Sequence, residues 1–384
     1  MSTTVVIWPG KLTGAVTPPP SKSQAHRLII AAALAQGESR LENVDLSQDI
    51  RATLGCMEAL GADWSLEDRT LTVQGFGGEA QLDGQLPHFD CGESGSTLRF
   101  LIPIALAAAG GGVFTGHGRL MQRPQKPYFD LFDQKGIFYE QKDGGLTVKG
   151  RLTPGEYALP GDVSSQFITG LLYALPLVEG ESAVTLTTPL ESRDYVSMTL
   201  QALDQFGVSV QETEKGYRLS GPQTYAGTDG AVETDWSQAA FWYGANLLGS
   251  QVDILNLNRS SAQGDMRVVP YSQQLSRPGD VELDVSQCPD LVPPLAAMAA
   301  VRTGECRLTN AARLRLKESD RLATVTQTLR ALGAAVEEGP DSLTFHGLPI
   351  LEGGVTVDCC NDHRIAMMAA IAATRCQGPG TITG

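Results

Sequence analysis

The sequence has no apolar run long enough to cross a membrane, few aromatic residues and no excess of positive charge. Among its 384 residues 6% are aromatic, and 29 Lys and Arg stand against 43 Asp and Glu, so the formal net charge is −14. This charge disfavours broad attraction to nucleic acid or anionic lipid. The longest apolar runs, 100–109 and 291–301, contain Pro and are shorter than the roughly 18 residues of a membrane helix.

Targeting, metal and nucleotide patterns are also missing. Residues 1–11 lack the basic and apolar regions of a signal peptide, so we expect a cytoplasmic protein. The seven Cys and five His show no metal-ligand spacing, and Gly10-Lys11 lacks the first glycine of a P-loop. An odd number of Cys without a Cys-x-x-Cys pair is typical of reduced thiols. We expect no metal, no cofactor and no redox step, and we expect any anionic ligand to be held by a local basic cluster.

What the sequence does contain is an internal repeat. A helical segment rich in Ala and Leu ends at Gly and leads into a short apolar strand six times. The markers are Gly37, Gly112, Gly180, Gly249, Gly304 and Gly378, with steps of 75, 68, 69, 55 and 74 residues. Between several markers an amphipathic helix ends at Gly and precedes two short strands, which predicts a hairpin. Units of about 65 residues predict an α/β protein with two pseudo-symmetric domains of three units each.

The domain boundaries follow from turn-forming segments. A chain of this length predicts about two domains, and the Pro-rich segment 17–20 and the Gly- and Thr-rich segment 221–230 mark the predicted crossings. One domain would be continuous, 20–230, and the other would combine 1–19 with 231–384. The last marker, Gly378, lies six residues before the end. We therefore expect the sixth repeat to be incomplete.

Segments next to the repeat markers place hydroxyl and basic groups at predicted helix starts. They are 21–27, 95–99, 122–124, 164–166 with 192–195, 313–321 and 361–364, together with the carboxylate Asp290. Taken singly, each can be a helix cap or a solvated charged helix. Lys317 and Arg321, four residues apart, would share one helical face. Together, cations beside helix N-termini indicate a multipoint site for polyanionic small molecules between the two domains.

These segments, in this order and over essentially the whole chain, resemble the 5-enolpyruvylshikimate-3-phosphate synthase family. The resemblance implies a two-domain inside-out α/β fold of the enolpyruvyl transferase type, built from six βαβαββ repeats. It implies a monomeric, cytoplasmic transferase of the shikimate pathway, which supplies chorismate and the aromatic amino acids. Such an enzyme transfers the carboxyvinyl group of phosphoenolpyruvate to the 5-hydroxyl of shikimate 3-phosphate and releases phosphate, and Gly95 matches the pattern of a glyphosate-sensitive target.

The resemblance also implies roles for individual residues. Shikimate 3-phosphate would be held by Lys22, Ser23, Arg27, Ser164, Ser165, Gln166, Ser192, Tyr195, Asp290 and Lys317. Phosphoenolpyruvate would be held by Lys22, Gly95, Arg123, Gln166, Arg321 and Arg364. The catalytic set would be Asp290 as proton acceptor, Lys317 at the reacting hydroxyl, Glu318 at the methylene group, and Lys22. Family members normally continue for about half a repeat with a further Lys at phosphoenolpyruvate, so an incomplete enzyme is expected.

Two other functions fit parts of the pattern. A sister enzyme transfers the same group to UDP-N-acetylglucosamine, but that family carries Cys or Asp on a mobile loop, and 116–127 contains neither. A non-catalytic phosphate-binding relative would keep the basic segments. The presence of Asp290, Lys317 and Glu318 favours catalysis over binding alone.

Overall fold

The computed structural model describes residues 4–80, 84–142 and 144–384. The first three residues of the predicted discontinuous domain therefore lie outside the described residues. The chain forms two compact units: the continuous unit, Pro20–Glu233, and the discontinuous unit, Met1–Pro19 with Thr234–Gly384. Among the described residues, no helix combines the length and apolar character that crossing a membrane requires.

Short strands and helices alternate along the chain. The strands are β1 (Val5–Ile7), β2 (Thr13–Val16), β3 (Gln36–Glu42), β4 (Asp63–Glu67), β5 (Thr70–Phe76), β6 (His88–Asp90), β7 (Gly111–Thr115), β8 (Phe138–Lys142), β9 (Gly145–Lys149), β10 (Gly155–Leu159), β11 (Gly180–Leu186), β12 (Gln211–Thr213), β13 (Gly216–Gly221), β14 (Gly230–Ala231), β15 (Gln251–Ile254), β16 (Val281–Asp284), β17 (Glu305–Thr309), β18 (Ala335–Glu338), β19 (Leu343–His346), β20 (Thr356–Asp358) and β21 (Gly380–Thr383). The α-helices are α1 (Lys22–Leu34), α2 (Gln48–Glu58), α3 (Gly95–Ala108), α4 (Lys126–Lys135), α5 (Ser165–Ala174), α6 (Arg193–Gln205), α7 (Trp236–Leu247), α8 (Val268–Leu275), α9 (Val292–Ala300), α10 (Arg321–Ala331) and α11 (His363–Ala373).

The continuous unit repeats one sheet topology three times. Its sheets have the strand orders β14-β3-β5-β4, β6-β7-β9-β8 and β10-β11-β13-β12. In each sheet the first pair is parallel and the other two pairs are antiparallel. A helix connects the parallel strands in the second and third sheets, as such a crossover requires. The first sheet takes its outer strand from the far end of the unit, where Gly230 pairs with Leu41.

The discontinuous unit uses the same topology with fewer strands. The sheet β16-β17-β19-β18 matches those of the continuous unit, whereas β2 and β15 form a parallel pair and β1-β21-β20 a three-stranded sheet. After α8 the chain runs through 276–280 directly into β16 without a hairpin. This explains the short step of 55 residues between Gly249 and Gly304. The α/β fold class is confirmed, and the fourth repeat is shorter than the pattern predicts.

The helices that follow the first strand of each repeat form the interior. Ten of the thirteen residues of α1 and twelve of the fourteen of α3 are buried. All nine residues of α9, in the discontinuous unit, are buried as well. A helix that is apolar on every side is stable only when it is surrounded by protein. Each unit has its own apolar core around these helices, so polar groups gather at the helix N-termini.

Candidate active site

In the continuous unit the N-termini of α3 and α5 meet. Gly95 is the first residue of α3, and a Cβ atom added to it would lie 2.8 Å from Nη1 of Arg123 and 3.7 Å from Oε1 of Gln166. These residues come from α3, from the segment before α4 and from α5. The structure therefore brings together three of the residues predicted at phosphoenolpyruvate.

Arg99 fixes this group, although the resemblance gave it no role. Its Nη1 donates to Oε1 of Gln166 at 2.8 Å, and its Nη2 donates to the backbone oxygen of Pro124 at 3.1 Å. The amide nitrogen of Gln166 donates to Oγ of Ser96 at 3.0 Å. Both ends of the Gln166 amide are thus oriented. The available sequence signal was the position of Arg99, one helical turn after Gly95 on the same face of α3.

Lys22 and Arg27 lie on the first two turns of α1. Nζ of Lys22 lies 2.5 Å from Oδ2 of Asp49 in the first turn of α2, a partner that sequence reasoning missed. Arg27 is buried, and its guanidinium donates to the backbone oxygens of Ser23 and Tyr195 and to Oγ1 of Thr199 at 2.7 to 2.9 Å. Burial lowers the pKa of Arg27 to about 10. At neutral pH Arg27 is therefore a fixed positive charge beside Tyr195.

The predicted serines lie at the starts of α5 and α6. Oγ of Ser164 accepts from the backbone N–H of Gln166 at 3.3 Å, and Ser165 is the first, buried residue of α5. Ser192 precedes α6 with φ 54° and ψ 44°, a left-handed conformation that Ser rarely adopts. Such backbone strain is concentrated at functional sites in proteins.

The loops that carry these serines are joined. The N–H of Gly161 donates to Oγ1 of Thr188 at 2.9 Å, and the N–H of Glu191 donates to the backbone oxygen of Gly161 at 3.0 Å. The segment before Ser164 and the segment before Ser192 are thus held side by side. The hydroxyl groups of Ser164, Ser165 and Ser192 are suited to accept and donate hydrogen bonds at one phosphate.

In the discontinuous unit one arginine bridges three carboxylates. Arg321, the first residue of α10, is 1% exposed. Its Nε lies 2.8 Å from Oδ2 of Asp362, its Nη1 2.9 Å from Oδ1 of Asp290 and its Nη2 2.6 Å from Oε2 of Glu318. Burial opposes the charge of Arg321, but the three carboxylates outweigh it and raise its pKa above the usual value. The guanidinium fixes segments that are distant in the chain.

Asp290 is a carboxylate at which three cations of this unit converge. Besides Arg321 it contacts Nη2 of Arg364 and Nζ of Lys317, each at 3.3 Å. Burial alone would raise the pKa of Asp290, but Arg364, Lys317 and Arg321 hold it well below the usual value. Burial lowers the pKa of Lys317, and Asp290 partly offsets this. Asp290 is therefore ionised at neutral pH.

The prediction that Lys317 and Arg321 share a helical face is wrong. A 3₁₀ turn spans Ala312–Leu316, Lys317 follows it with extended backbone, and α10 begins only at Arg321. The two side chains meet because both bind Asp290. Sequence reasoning also missed the direct role of Asp362, which caps α11 by accepting from the N–H of Arg364 at 3.0 Å. Among the described residues, no three His, Cys, Asp or Glu side chains are grouped as metal ligands.

Buried helices wrapped by small mixed sheets, with charged groups at the helix N-termini, define an α/β enzyme of the enolpyruvyl transferase type. Residues 7–384 match the family model described as EPSP synthase (3-phosphoshikimate 1-carboxyvinyltransferase). The chain belongs to this family, and it is a transferase. The resemblance seen in the sequence is thereby confirmed.

Individual relatives give the same result. A 3-phosphoshikimate 1-carboxyvinyltransferase of Clostridium kluyveri is 43% identical over 99% of this chain and 92% of that protein. The protein of the same name from Clostridioides difficile is 42% identical over 97% of this chain and 91% of its own length. A solved EPSP synthase from Acinetobacter baumannii has a TM-score of 0.81 at 25% identity, covering 100% of this chain and 94% of the other.

Proposed function

We propose that this chain transfers the carboxyvinyl group of phosphoenolpyruvate to the 5-hydroxyl of shikimate 3-phosphate and releases inorganic phosphate. Membership of the EPSP synthase family supports this activity. The observation that carries the proposal is the convergence of Lys317, Arg321 and Arg364 on the carboxylate of Asp290. A base next to several cations is the chemistry that this transfer needs.

The basic groups of the continuous unit would bind the substrate anions. Each substrate carries a phosphate and a carboxylate, and Arg binds such groups through paired N–H donors. In the proposed assignment Lys22, Arg123 and Gln166 hold phosphoenolpyruvate beside the open face of Gly95. Arg27 contributes a fixed charge, since three of its N–H donors already bind protein oxygens.

The serines with Tyr195 would bind shikimate 3-phosphate. Ser164 and Ser165 begin α5, where backbone N–H groups and the helix dipole favour a phosphate. Ser192 precedes α6 from the neighbouring loop. Together these hydroxyl groups offer short, neutral donors, which would suit a phosphate dianion near the cations Lys22 and Arg27.

Asp290 would accept the proton of the attacking hydroxyl. With three cations around it, Asp290 is a weak base, because those charges stabilise its ionised form. Anionic phosphoenolpyruvate would compete for Arg321 and Arg364, and every cation drawn away from Asp290 raises its basicity. Substrate binding would thus activate the base.

The remaining steps need an acid at the methylene carbon and charge on the leaving group. As the hydroxyl oxygen bonds to C2, C3 takes up a proton, which Glu318 would supply. The tetrahedral intermediate then loses phosphate, which would take up the proton held by Asp290, while C3 returns a proton to Glu318 and the double bond is restored. Lys22, Arg321 and Arg364 would stabilise the negative charge on the departing phosphate.

The test follows phosphate release from phosphoenolpyruvate with either shikimate 3-phosphate or UDP-N-acetylglucosamine as acceptor. Release with shikimate 3-phosphate is expected, and release only with the other acceptor would refute the proposal. Lys317→Met should lower kcat by about a hundredfold or more, because it removes a cation at the reacting hydroxyl. Lys126→Met is the control, since Lys126 is an exposed cation that forms an ion pair with exposed Asp130 on α4. The monomeric state and the cytoplasmic location stay predictions.

A further inference from the structure

Asp265 is a buried carboxylate to which the transfer reaction assigns no role. It lies in the 3₁₀ turn Gly264–Arg267 and is 4% exposed. The preceding Gln263 anchors this turn to the start of α7. Its Oε1 accepts from the N–H of Trp236 at 3.1 Å, and its Nε2 donates to the backbone oxygen of Thr234 at 3.0 Å. The position of Asp265 is therefore fixed.

A chain of hydrogen bonds joins Asp265 to the cluster around Asp290. Nη1 of Arg364 donates to Oγ of Ser237, and Asp265 is hydrogen-bonded to Ser237. Because Oγ of Ser237 accepts from a guanidinium, its own O–H donates to the carboxylate of Asp265. Nη2 of Arg364 lies 3.3 Å from Oδ2 of Asp290. One arginine thus serves two carboxylates, Asp290 directly and Asp265 through Ser237.

The charges around Asp265 make its protonation sensitive to Arg364. Burial and the negative charges of Asp290 and Asp235 raise the pKa of Asp265, Arg364 opposes them, and the result is about 7. Cys288 also interacts with Asp265, but burial raises the thiol pKa far above neutrality. An anion placed on Arg364 would add negative charge and weaken the cation that stabilises ionised Asp265. Both effects favour protonated Asp265.

We propose that Asp265 is a positioning residue that orients Arg364 through Ser237 and takes up a proton when anionic phosphoenolpyruvate binds at Arg364. This inference rests on the proposed role of Arg364 in substrate binding. The proton comes from solvent and converts the carboxylate to a carboxylic acid, so no other reactant is needed. Taking up this proton keeps the net charge of the buried site close to its value before the anion binds.

The sign of the pH dependence follows from linkage. Because binding favours protonated Asp265, the affinity for phosphoenolpyruvate falls as pH rises through the pKa of about 7. If the bound anion raises that pKa by about one unit, the affinity falls about five- to tenfold between pH about 6 and pH about 8.5. Near pH about 7.5 the uptake would be about half a proton per bound substrate.

The test compares Asp265→Asn and Asp265→Ala with the wild type. Asn resembles the protonated acid and does not titrate. The fall in kcat/KM for phosphoenolpyruvate over this pH range should therefore be about five- to tenfold smaller in Asp265→Asn than in the wild type. Ala cannot hold Ser237, so KM should rise at every pH. Asp253→Asn, which changes an exposed carboxylate of β15, should keep the wild-type profile. Parallel profiles for wild type and Asp265→Asn would overturn the inference.

A binding measurement separates this inference from the proposed function. Phosphoenolpyruvate alone cannot turn over, so calorimetry in two phosphate-free buffers of different ionisation enthalpy reports proton uptake directly. Uptake in the wild type that disappears in Asp265→Asn supports the role of Asp265, even if no phosphate were released with shikimate 3-phosphate. Release of phosphate with equal proton uptake in both proteins would refute the inference and leave the proposed function standing. Absence of phosphoenolpyruvate binding both alone and with shikimate 3-phosphate present, together with no phosphate release, would refute both.

Discussion

His26, buried inside the continuous unit, makes the stability of that unit depend on pH. The side chain is 1% exposed. Burial, opposed by Asp49 and assisted by Lys22 and Arg27, lowers the pKa of His26 from 6.5 to about 3. Because the folded pKa lies below the unfolded one, the unfolded state binds the proton more tightly. The contribution of neutral His26 to the free energy of unfolding is therefore fully present above pH 6.5 and is lost as the pH falls towards 3.

The hydrogen bonds of His26 show why the folded state keeps it neutral. The hydroxyl of Thr97 donates to Oγ of Ser94, so its oxygen can only accept from the hydroxyl of Thr53. The oxygen of Thr53 in turn accepts from Nδ1–H of His26, and each of these three hydrogen bonds is 2.7 Å long. Nε2 of His26 is buried with no hydrogen-bond partner among the described residues. A proton there would be an unpaired buried charge. Lowering the pH from 6.5 to about 5 then reduces the free energy of unfolding by about 2 kcal/mol, at about 1.4 kcal/mol for each pH unit.

The informative change is His26→Asn. The Asn side chain can keep an N–H group towards Thr53 but cannot titrate. Removing the rest of the ring should cost about 1 to 2 kcal/mol near pH 7.5. On acidification to pH about 5, however, the variant should lose about 2 kcal/mol less than the wild type.

The assay must follow the continuous unit within the whole chain. Urea unfolding at both pH values, read by hydrogen exchange in peptides of α1 to α3, meets this need. His88→Asn, at an exposed position of β6, should retain the full wild-type loss on acidification. An equal acid-induced loss in wild type and His26→Asn would refute the reasoning, because His26 would then not be held neutral.

Two further changes test the site. Gly95→Ala places a Cβ atom 2.8 Å from Nη1 of Arg123, so the flexible side chain of Arg123 must move. KM for phosphoenolpyruvate should therefore rise about tenfold, which corresponds to a loss of about 1.4 kcal/mol of binding free energy. KM for shikimate 3-phosphate and the melting temperature should change little, glyphosate should inhibit less, and an equal rise in both KM values would contradict the assignment. Asp362→Asn removes one of the three carboxylates around buried Arg321, while Asp290 and Glu318 remain. The change should cost about 1 to 3 kcal/mol in urea unfolding of the discontinuous unit, and no measurable loss would contradict this.

The repeat was readable from the sequence because it depends on local patterns. Ala- and Leu-rich segments ending at Gly correspond to buried helices such as α1, α3 and α9, since an apolar surface on every side can be accommodated only in the interior. Even the shorter fourth repeat was recorded in the spacing from Gly249 to Gly304. The missing hairpin was not foreseen, because a short step does not indicate which element is absent.

The contacts of the charged side chains were not readable in the same way. Spacing of i, i+4 reports proximity only inside a continuous helix, and the chain is extended at Lys317 before α10 begins at Arg321. The pairing of Arg99 with Gln166 joins two helices that are distant in sequence. Such contacts depend on how the helices pack, and packing is set by the whole core. Single-sequence patterns therefore locate the segments of the site but not the partners within it.

The helix caps differ in charge between the two units, so an anion would be held differently in each. In the continuous unit the caps of α1, α3 and α5 are the neutral Ser21, Ser94 and Ser164. In the discontinuous unit the caps of α7, α10 and α11 are the charged Asp235, Asp320 and Asp362. A neutral cap leaves the positive end of the helix dipole available to a ligand, whereas an aspartate cap compensates it.

This difference determines what substrate binding must change. In the continuous unit the helix N-termini at Gly95 and Ser165 can receive an anion without giving up a charged cap. In the discontinuous unit Arg321 and Arg364 already bind carboxylates, so an anion binding there would compete with them. The displaced negative charge would then be compensated by a proton on Asp265, which leaves Asp290 ionised and able to accept the proton of the hydroxyl. The proposed proton uptake at Asp265 would thus accompany substrate binding, while the loss of cations from Asp290 would raise its basicity.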